Sequence, residues 1–266
     1  MKRTLKIVSL VFGGAIIVYF GAMTFRKNSV VDKVTEFQTD HFIISYQGIY
    51  EEEAKAVANG LEANYDRIRR DLKDPEHGTV RVFIYPRQAD FNQGTGLLNS
   101  TAKGTSRGPN EFHFIWTNWY NSIFPDNPVK TAIHEFTHCI QLNILIKDTQ
   151  EKWGSQDRES FDKRFEEKFI DHYPQWFWEA LCDYEAGVVN RLSVKYGMSK
   201  NLRLEDLSNS NQIYNVGYTI IDYIVEKWGR EKLPALITSY VDIKSVLEVS
   251  ESDFEKGWVD YVNEKY

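Results

Sequence analysis

Residues 131–140 read Thr131-Ala132-Ile133-His134-Glu135-Phe136-Thr137-His138-Cys139-Ile140. The two histidines are four positions apart. On an α-helix, residues i and i+4 share one face, so both imidazoles can reach a single zinc ion. Glu135 lies beside that face and can take a proton from a metal-bound water, as the H-E-x-x-H pattern requires. Ala132, Ile133, Phe136 and Ile140 make the helix apolar, and a buried pair of histidines needs partners. Upstream, Asn127-Pro128 is a helix-start signal, and the helix is predicted to run to about Ile146.

Zinc that works on a substrate has three protein ligands and an open fourth position. The longer pattern H-x-x-G-x-x-H is excluded, because Gln141 and Ile144 stand at its Gly and final His. Three regions then compete for the third ligand: Asp157 and Glu159, His172, and Glu179. Asp157 and Glu159 belong to a charge-dense stretch, 147–172, which reads as an exposed helical or loop insertion. Glu179 sits in Trp176-Phe177-Trp178-Glu179-Ala180-Leu181-Cys182-Asp183-Tyr184, where an unpaired carboxylate is costly, and is favoured. Asp183 follows one turn later and can accept the second ring N–H of a zinc-bound histidine.

The H-E-F-T-H motif followed by Pro174-Gln175-Trp176-Phe177-Trp178-Glu179-Ala180 resembles the gluzincin metallopeptidases. More narrowly, it is similar to the bacterial peptidase-MA-like group, whose pattern is HE-x-x-H, then W-x-x-E-G-x-A-x-Y and an aromatic helix. The resemblance covers about residues 37–266 and ends on Trp258, Tyr261 and Val262. It implies an α+β, zincin-like domain with a small mixed sheet in the first lobe and a helical second lobe. It also implies one zinc ion on His134, His138 and Glu179, Glu135 as catalytic base, and a peptide or protein substrate. Ala180 stands where the group usually has Gly, and Cys182 replaces a small Ala. The E-A-x-x-D form of other gluzincins agrees with the role given to Asp183.

A phenol is the usual donor to the oxyanion of such a reaction, contributing about 3 kcal/mol. Tyr214 is the first candidate, Tyr218 one turn later the second, and Tyr184 the third. The strand expected at Glu111–Thr117 precedes the zinc helix and is read as the edge with which an extended peptide pairs. The glycines before it (Gly94, Gly96, Gly104, Gly108) let backbone approach a ligand. Cys139 and Cys182 lie on two helices expected to pack together. They form either a disulfide or two buried free thiols.

The remaining segments follow hydrophobic periodicity. A helix is predicted over Glu51–Leu72 and strands over His41–Tyr46 and Thr79–Tyr85. Further helices are predicted at Trp176–Val189, Asn211–Trp228, Glu231–Tyr240 and Ser252–Tyr266.

Ile7 to Phe25 is a run of 19 uncharged residues flanked by Lys2, Arg3, Lys6 and by Arg26, Lys27. About 20 apolar residues span a bilayer core of roughly 30 Å. Residues 1–27 are therefore read as one N-terminal transmembrane helix, or as a cleaved signal segment, with 28–36 as a connector. The basic flanks place the catalytic domain outside the cytoplasm, on a single-pass cell-membrane protein, or secreted if the segment is cleaved. Residues 1–27 carry +5 and the remainder −11 of the net −6. An acidic domain argues against a nucleic-acid partner. Two alternatives stand beside the peptidase: a catalytically silent zinc- or peptide-binding domain, and a hydrolase of a non-peptide amide such as a cell-wall cross-link.

Overall fold

The computed structural model describes residues 34–49, 51–116, 127–154, 157–201 and 203–266. The stretch read as a membrane segment and most of the connector lie outside them. Among the described residues, no helix is long and apolar enough to cross a membrane.

The chain is mixed α+β. Five strands form one sheet: β1 Thr35–Gln38, β2 Phe42–Tyr46, β3 Val80–Tyr85, β4 Gly104–Ser106 and β5 Glu111–Ile115. Their order is β1-β2-β3-β5-β4. β2, β3 and β5 run parallel, and β1 and β4 are antiparallel edges. Parallel neighbours need crossovers. Helix α1 (Glu51–Leu72) supplies the one between β2 and β3, with the predicted bounds. Its Ala54, Val57, Ala58, Leu61, Tyr65, Ile68 and Leu72 are buried, which is the 3–4 spacing that predicted it. The short helix α2 (Gln88–Thr95) follows β3.

Helix α3 (Pro128–Trp153) packs on α1 and beside β4 and β5. Asn127 caps it as expected, its side chain accepting from the N–H groups of Val129 and Lys130 at 3.0 and 3.3 Å. The helix passes the predicted end at Ile146 by two turns and stops at Gly154, whose φ is 70°. Next comes α4 (Arg158–His172), so the charge-dense segment is ordered helix. Its charges face water, but Phe161 and Phe165 are buried. Phe161, Phe165, Phe169 and Tyr173 recur every fourth residue and stack at centroid spacings of 6.0, 6.2 and 5.2 Å. That apolar stripe, hidden among charges, makes the segment part of the core.

The second half is helical: α5 Gln175–Glu185, α6 Arg191–Met198, α7 Leu204–Leu207, α8 Ile213–Trp228, α9 Leu233–Thr238, α10 Ile243–Leu247 and α11 Glu251–Lys265. Helix α5 ends four residues before the predicted Val189, at a turn where Gly187 takes φ 64°. The segment predicted as one helix from Glu231 is a 3-10 turn, Arg230–Lys232, followed by α9. Helices α5 and α8 are in close contact because Ala180 faces Gly217, where a Cβ would lie 3.2 Å from the Ala180 Cα. Ala180 on α5 is thus matched by a glycine on the partner helix. Beside it, Glu185 is buried between the guanidinium groups of Arg67 and Arg230. This ties α5 to α1 and to the turn after α8.

Two further expectations change. β5 is paired on both sides, and β4 is the edge. The connector read as 28–36 also gives its last two residues to β1, which starts at Thr35.

Candidate metal centre

Helix α3 puts His134 and His138 on one face, with ring centroids 4.8 Å apart and planes at 85°. Helix α5 meets this face and brings four side chains to it. The Glu179 Oε2 atom lies 3.2 Å from His134 Nε2 and 3.8 Å from His138 Nε2. The Asp183 carboxylate is 2.9 Å from His134 Nδ1. The Cys182 sulfur is 3.0 Å from His138 Nδ1. The Trp178 indole stacks on the His138 ring at 4.1 Å and 17°. Gln175 donates to the other oxygen of Glu179 at 2.9 Å. Asp157, Glu159 and His172, the rival third ligands, are exposed on or beside α4. Asp157 is occupied as the α4 cap, accepting from Ser160 N at 2.9 Å.

His134, His138 and Cys182 present ligand atoms within 4.8 Å of one another and can hold a metal ion. Glu179 competes with Cys182 for the third place. The test is which ring nitrogen faces which donor. Both Nε2 atoms converge on Glu179, whereas Cys182 meets only the Nδ1 edge of His138. Ligands about 2.1 Å from a tetrahedral ion stand about 3.4 Å apart. The 3.2 and 3.8 Å separations around Glu179 Oε2 bracket that value.

Charge supports a cation at this point. Glu135, Glu179 and Asp183 are all buried within this small volume. Burial pushes the Glu135 carboxyl up to about 8, offset in part by His134 and reinforced by Glu179. Burial also opposes charge on Glu179, but the His134 hydrogen bond and the two imidazoles outweigh it and hold this carboxyl low. His138 is depressed to about 3 by burial, the state in which a ring nitrogen offers a lone pair. His134 is opposed by burial, yet the bonds from Asp183 and Glu179 keep it well above the usual imidazole value. A proton there is the simplest cation the site can hold; a metal ion is the other.

Glu135, between the two histidines in sequence, is buried. Among the described residues its Oε2 atom is buried without a hydrogen-bond partner. Its carboxyl lies against Gly104 of β4, where a Cβ would stand 2.5 Å from Glu135 Cδ. The edge strand therefore passes directly over the Glu135 carboxyl. Ile115 N donates to Lys103 O at 2.9 Å and Arg107 N to Glu111 O at 2.7 Å. Residues 103 and 107 thus bond inward to β5, and by alternation Gly104 and Ser106 present their N–H and C=O to the free side.

Tyr214 opens α8 and is 55 % exposed, while its phenol interacts with Glu179. Burial of the hydroxyl and the charges of Glu179, Asp183 and Glu135 push its pKa up, so it stays a donor. Tyr218 is elsewhere. It packs on Tyr184 at 5.1 Å, and the charges that act on it are Asp222, Lys265, Arg230 and Glu185. Tyr184 accepts from Arg230 at 3.1 Å. Cys139 and Cys182 are both free and buried. Cys139 faces the Glu111 carbonyl at 3.6 Å, so the two thiols have separate partners.

The sequence reading brings His134, Glu135, His138, Glu179, Asp183 and Tyr214 together. It names Gly104 only among four glycines where backbone can approach a ligand; it gives no role at the site to Trp178, and it reads Cys182 only as a disulfide partner or a free thiol. For the last two a signal exists: they are spaced i, i+4, as are Glu179 and Asp183, one residue earlier on the same helix. No known family model matches the chain, and no curated protein matches it either.

Proposed function

We propose that this protein is a zinc-dependent peptidase of the zincin-like, gluzincin type. One zinc ion is held by His134, His138 and Glu179, and residues 7–25 anchor the chain in the cell membrane with the peptidase domain outside the cytoplasm. The observation that carries the reading is Glu135: a buried carboxyl with an oxygen that has no hydrogen-bond partner among the described residues, beside a convergent His-His-Glu donor set. A site serving only structure has no use for that group.

A bound zinc ion supplies Lewis acidity and a water acidified towards neutral pH. The chain's own residues then divide the work. Glu135 takes the water proton and later delivers it to the leaving amine. The Tyr214 hydroxyl donates to the oxygen on which charge develops. Asp183 accepts from His134 Nδ1 and keeps Nε2 directed at the ion. Gly104 and Ser106, on the free side of β4, pair with an extended peptide and carry its scissile bond past Glu135.

The second reading is a silent zinc-binding domain, and the observation in its favour is the Cys182 sulfur beside His138. Replacement of Glu135 separates the two. The Glu135→Gln variant is expected to keep its zinc, measured by elemental analysis, and to lose turnover of a broad peptide library. Glu179→Ala is expected to lose the metal. Wild-type cleavage by Glu135→Gln would overturn the mechanism, and unchanged metal content in Glu179→Ala would overturn the ligand set.

A further inference from the structure

We propose that Cys182 is the positioning residue of His138, acting on its Nδ1 edge as Asp183 acts on His134. This rests on the donor set of the peptidase reading, His134, His138 and Glu179.

The sulfur is 3.0 Å from His138 Nδ1, and both residues are buried. A histidine that gives its Nε2 lone pair to an ion must carry its proton on Nδ1, and that proton needs an acceptor. Within this contact the acceptor is the Cys182 sulfur. The sulfur is itself held in place. Gln141 donates from Nε2 to Cys182 Sγ at 3.2 Å and to the Trp178 carbonyl at 3.0 Å. A carbonyl only accepts, so the amide nitrogen must lie on this side. The Tyr173 hydroxyl donates to Gln141 Oε1 at 2.9 Å and fixes the other end. Tyr173, Gln141 and Cys182 thus form a buried chain that ends on the imidazole.

Helix geometry gives the arrangement its economy. Glu179 and Asp183 are an i, i+4 pair that addresses both edges of His134. Trp178 and Cys182 are the i, i+4 pair one residue earlier, and they address His138, on its face and its Nδ1 edge. The histidines are also spaced i, i+4, so two helices cross with matched repeats. Asp183 gives a charge-assisted bond, whereas a thiol sulfur is a weak acceptor. Orientation of His138 therefore also depends on the Trp178 stack.

The test uses the full chain loaded with Zn²⁺ in competition with a chromophoric chelator, and with Co²⁺ as a spectroscopic probe. Wild type is expected to bind one Co²⁺ without a sulfur-to-cobalt charge-transfer band. Cys182→Ala is expected to weaken zinc binding by about 10–100-fold. Cys182→Ser, which keeps an acceptor, recovers part of that loss. Cys139→Ala removes an equally buried thiol, next to His138 on α3 but bonded to the Glu111 carbonyl, and is expected to keep wild-type affinity, so a general packing defect is distinguished. If Cys182→Ala does not fold, by near-ultraviolet circular dichroism, the serine variant against Cys139→Ala carries the comparison. A sulfur-to-cobalt band that disappears in Cys182→Ser would make Cys182 a ligand and overturn the proposal. Equal affinities for the Cys182 and Cys139 variants would overturn it as well. Glu179→Ala in the same titration tells the levels apart. If it alone loses the metal, only the role of Cys182 fails; if it binds as wild type, the donor set fails and the proposal with it.

Discussion

Gly104→Ala is the sharpest perturbation of the site, because it adds one methyl group and changes no charge. The new Cβ would lie 2.5 Å from Glu135 Cδ and 2.9 Å from its Cγ. Carbon atoms in ordinary contact are about 3.5–4.0 Å apart, so the carboxyl must retreat by roughly 1–1.5 Å. The backbone adds no strain of its own, since Gly104 is in a strand and outside the left-handed region. The obstructing atoms are the tip of a flexible side chain, so the fold yields cheaply, with an expected stability change under about 1 kcal/mol. Function does not yield so easily. A misplacement of about 1 Å at the reacting groups costs on the order of 100-fold in rate, or about 2.7 kcal/mol. The assay is kcat/KM on a peptide substrate found by library screening, with zinc content and urea unfolding measured in parallel. Gly78→Ala is the control, since its Cβ would meet nothing closer than Asn110 at 3.6 Å. Zinc content is expected to be unchanged, because the three atoms nearest the new Cβ all belong to Glu135. Activity within about threefold of wild type would refute the reasoning, as it would show that the Glu135 position over β4 is not needed. Loss of zinc would refute it differently, by showing that β4 supports the ligands.

Tyr214→Phe is expected to lower kcat by about 100–1,000-fold with little change in KM, whereas Tyr218→Phe should behave as wild type; stopped-assay kinetics on both variants decide between the two phenols. Asp222 accepts from Tyr261, Tyr266 and Lys265 at 2.7, 2.7 and 2.9 Å and so staples α11 to α8. Burial opposes its charge, but these bonds and the Lys265 ammonium hold its carboxyl below the usual value. A depressed carboxylate gives stability that is present above its unfolded pKa and lost as pH falls through the folded one. Asp222→Asn should therefore cost about 1–3 kcal/mol in urea unfolding at pH 7, and the gap from wild type should narrow towards pH 2–3. A gap that is constant with pH would remove the ionic part of this staple.

Why these features were or were not legible is a matter of range. The α1 helix carries its own evidence, seven apolar residues on one face, and it was readable to the residue. The two histidines were readable because chemistry fixes their spacing. Strand β4 is Gly104-Thr105-Ser106, three residues with no apolar pattern. It is a strand only because β5, the next element across the turn at 107–110, offers it hydrogen bonds, and nothing in the three residues themselves signals that pairing. The α4 stripe failed for the opposite reason: its pattern was local, but nine charges between Arg158 and Asp171 outweighed four aromatic rings in the reading.

The candidate metal centre shows the same division at smaller scale. Glu179 could be chosen among three rivals because a carboxylate in an apolar helix needs a reason. Asp183 followed from it by one turn. The same step taken from Trp178 leads to Cys182, yet a thiol admits too many roles in a sequence for the step to select one. The crossing of α3 and α5 supports one of them, the proposed positioning role, by turning the Nδ1 edge of His138 towards sulfur and the Nε2 edge towards Glu179. The crossing in turn depends on Ala180 against Gly217 and on Glu185 between two arginines. None of these contacts touches the donor atoms, yet they set the angle at which two i, i+4 pairs meet two histidines. A bulky residue at Gly217 should therefore weaken metal binding from the far side of α5, with all three proposed ligands intact.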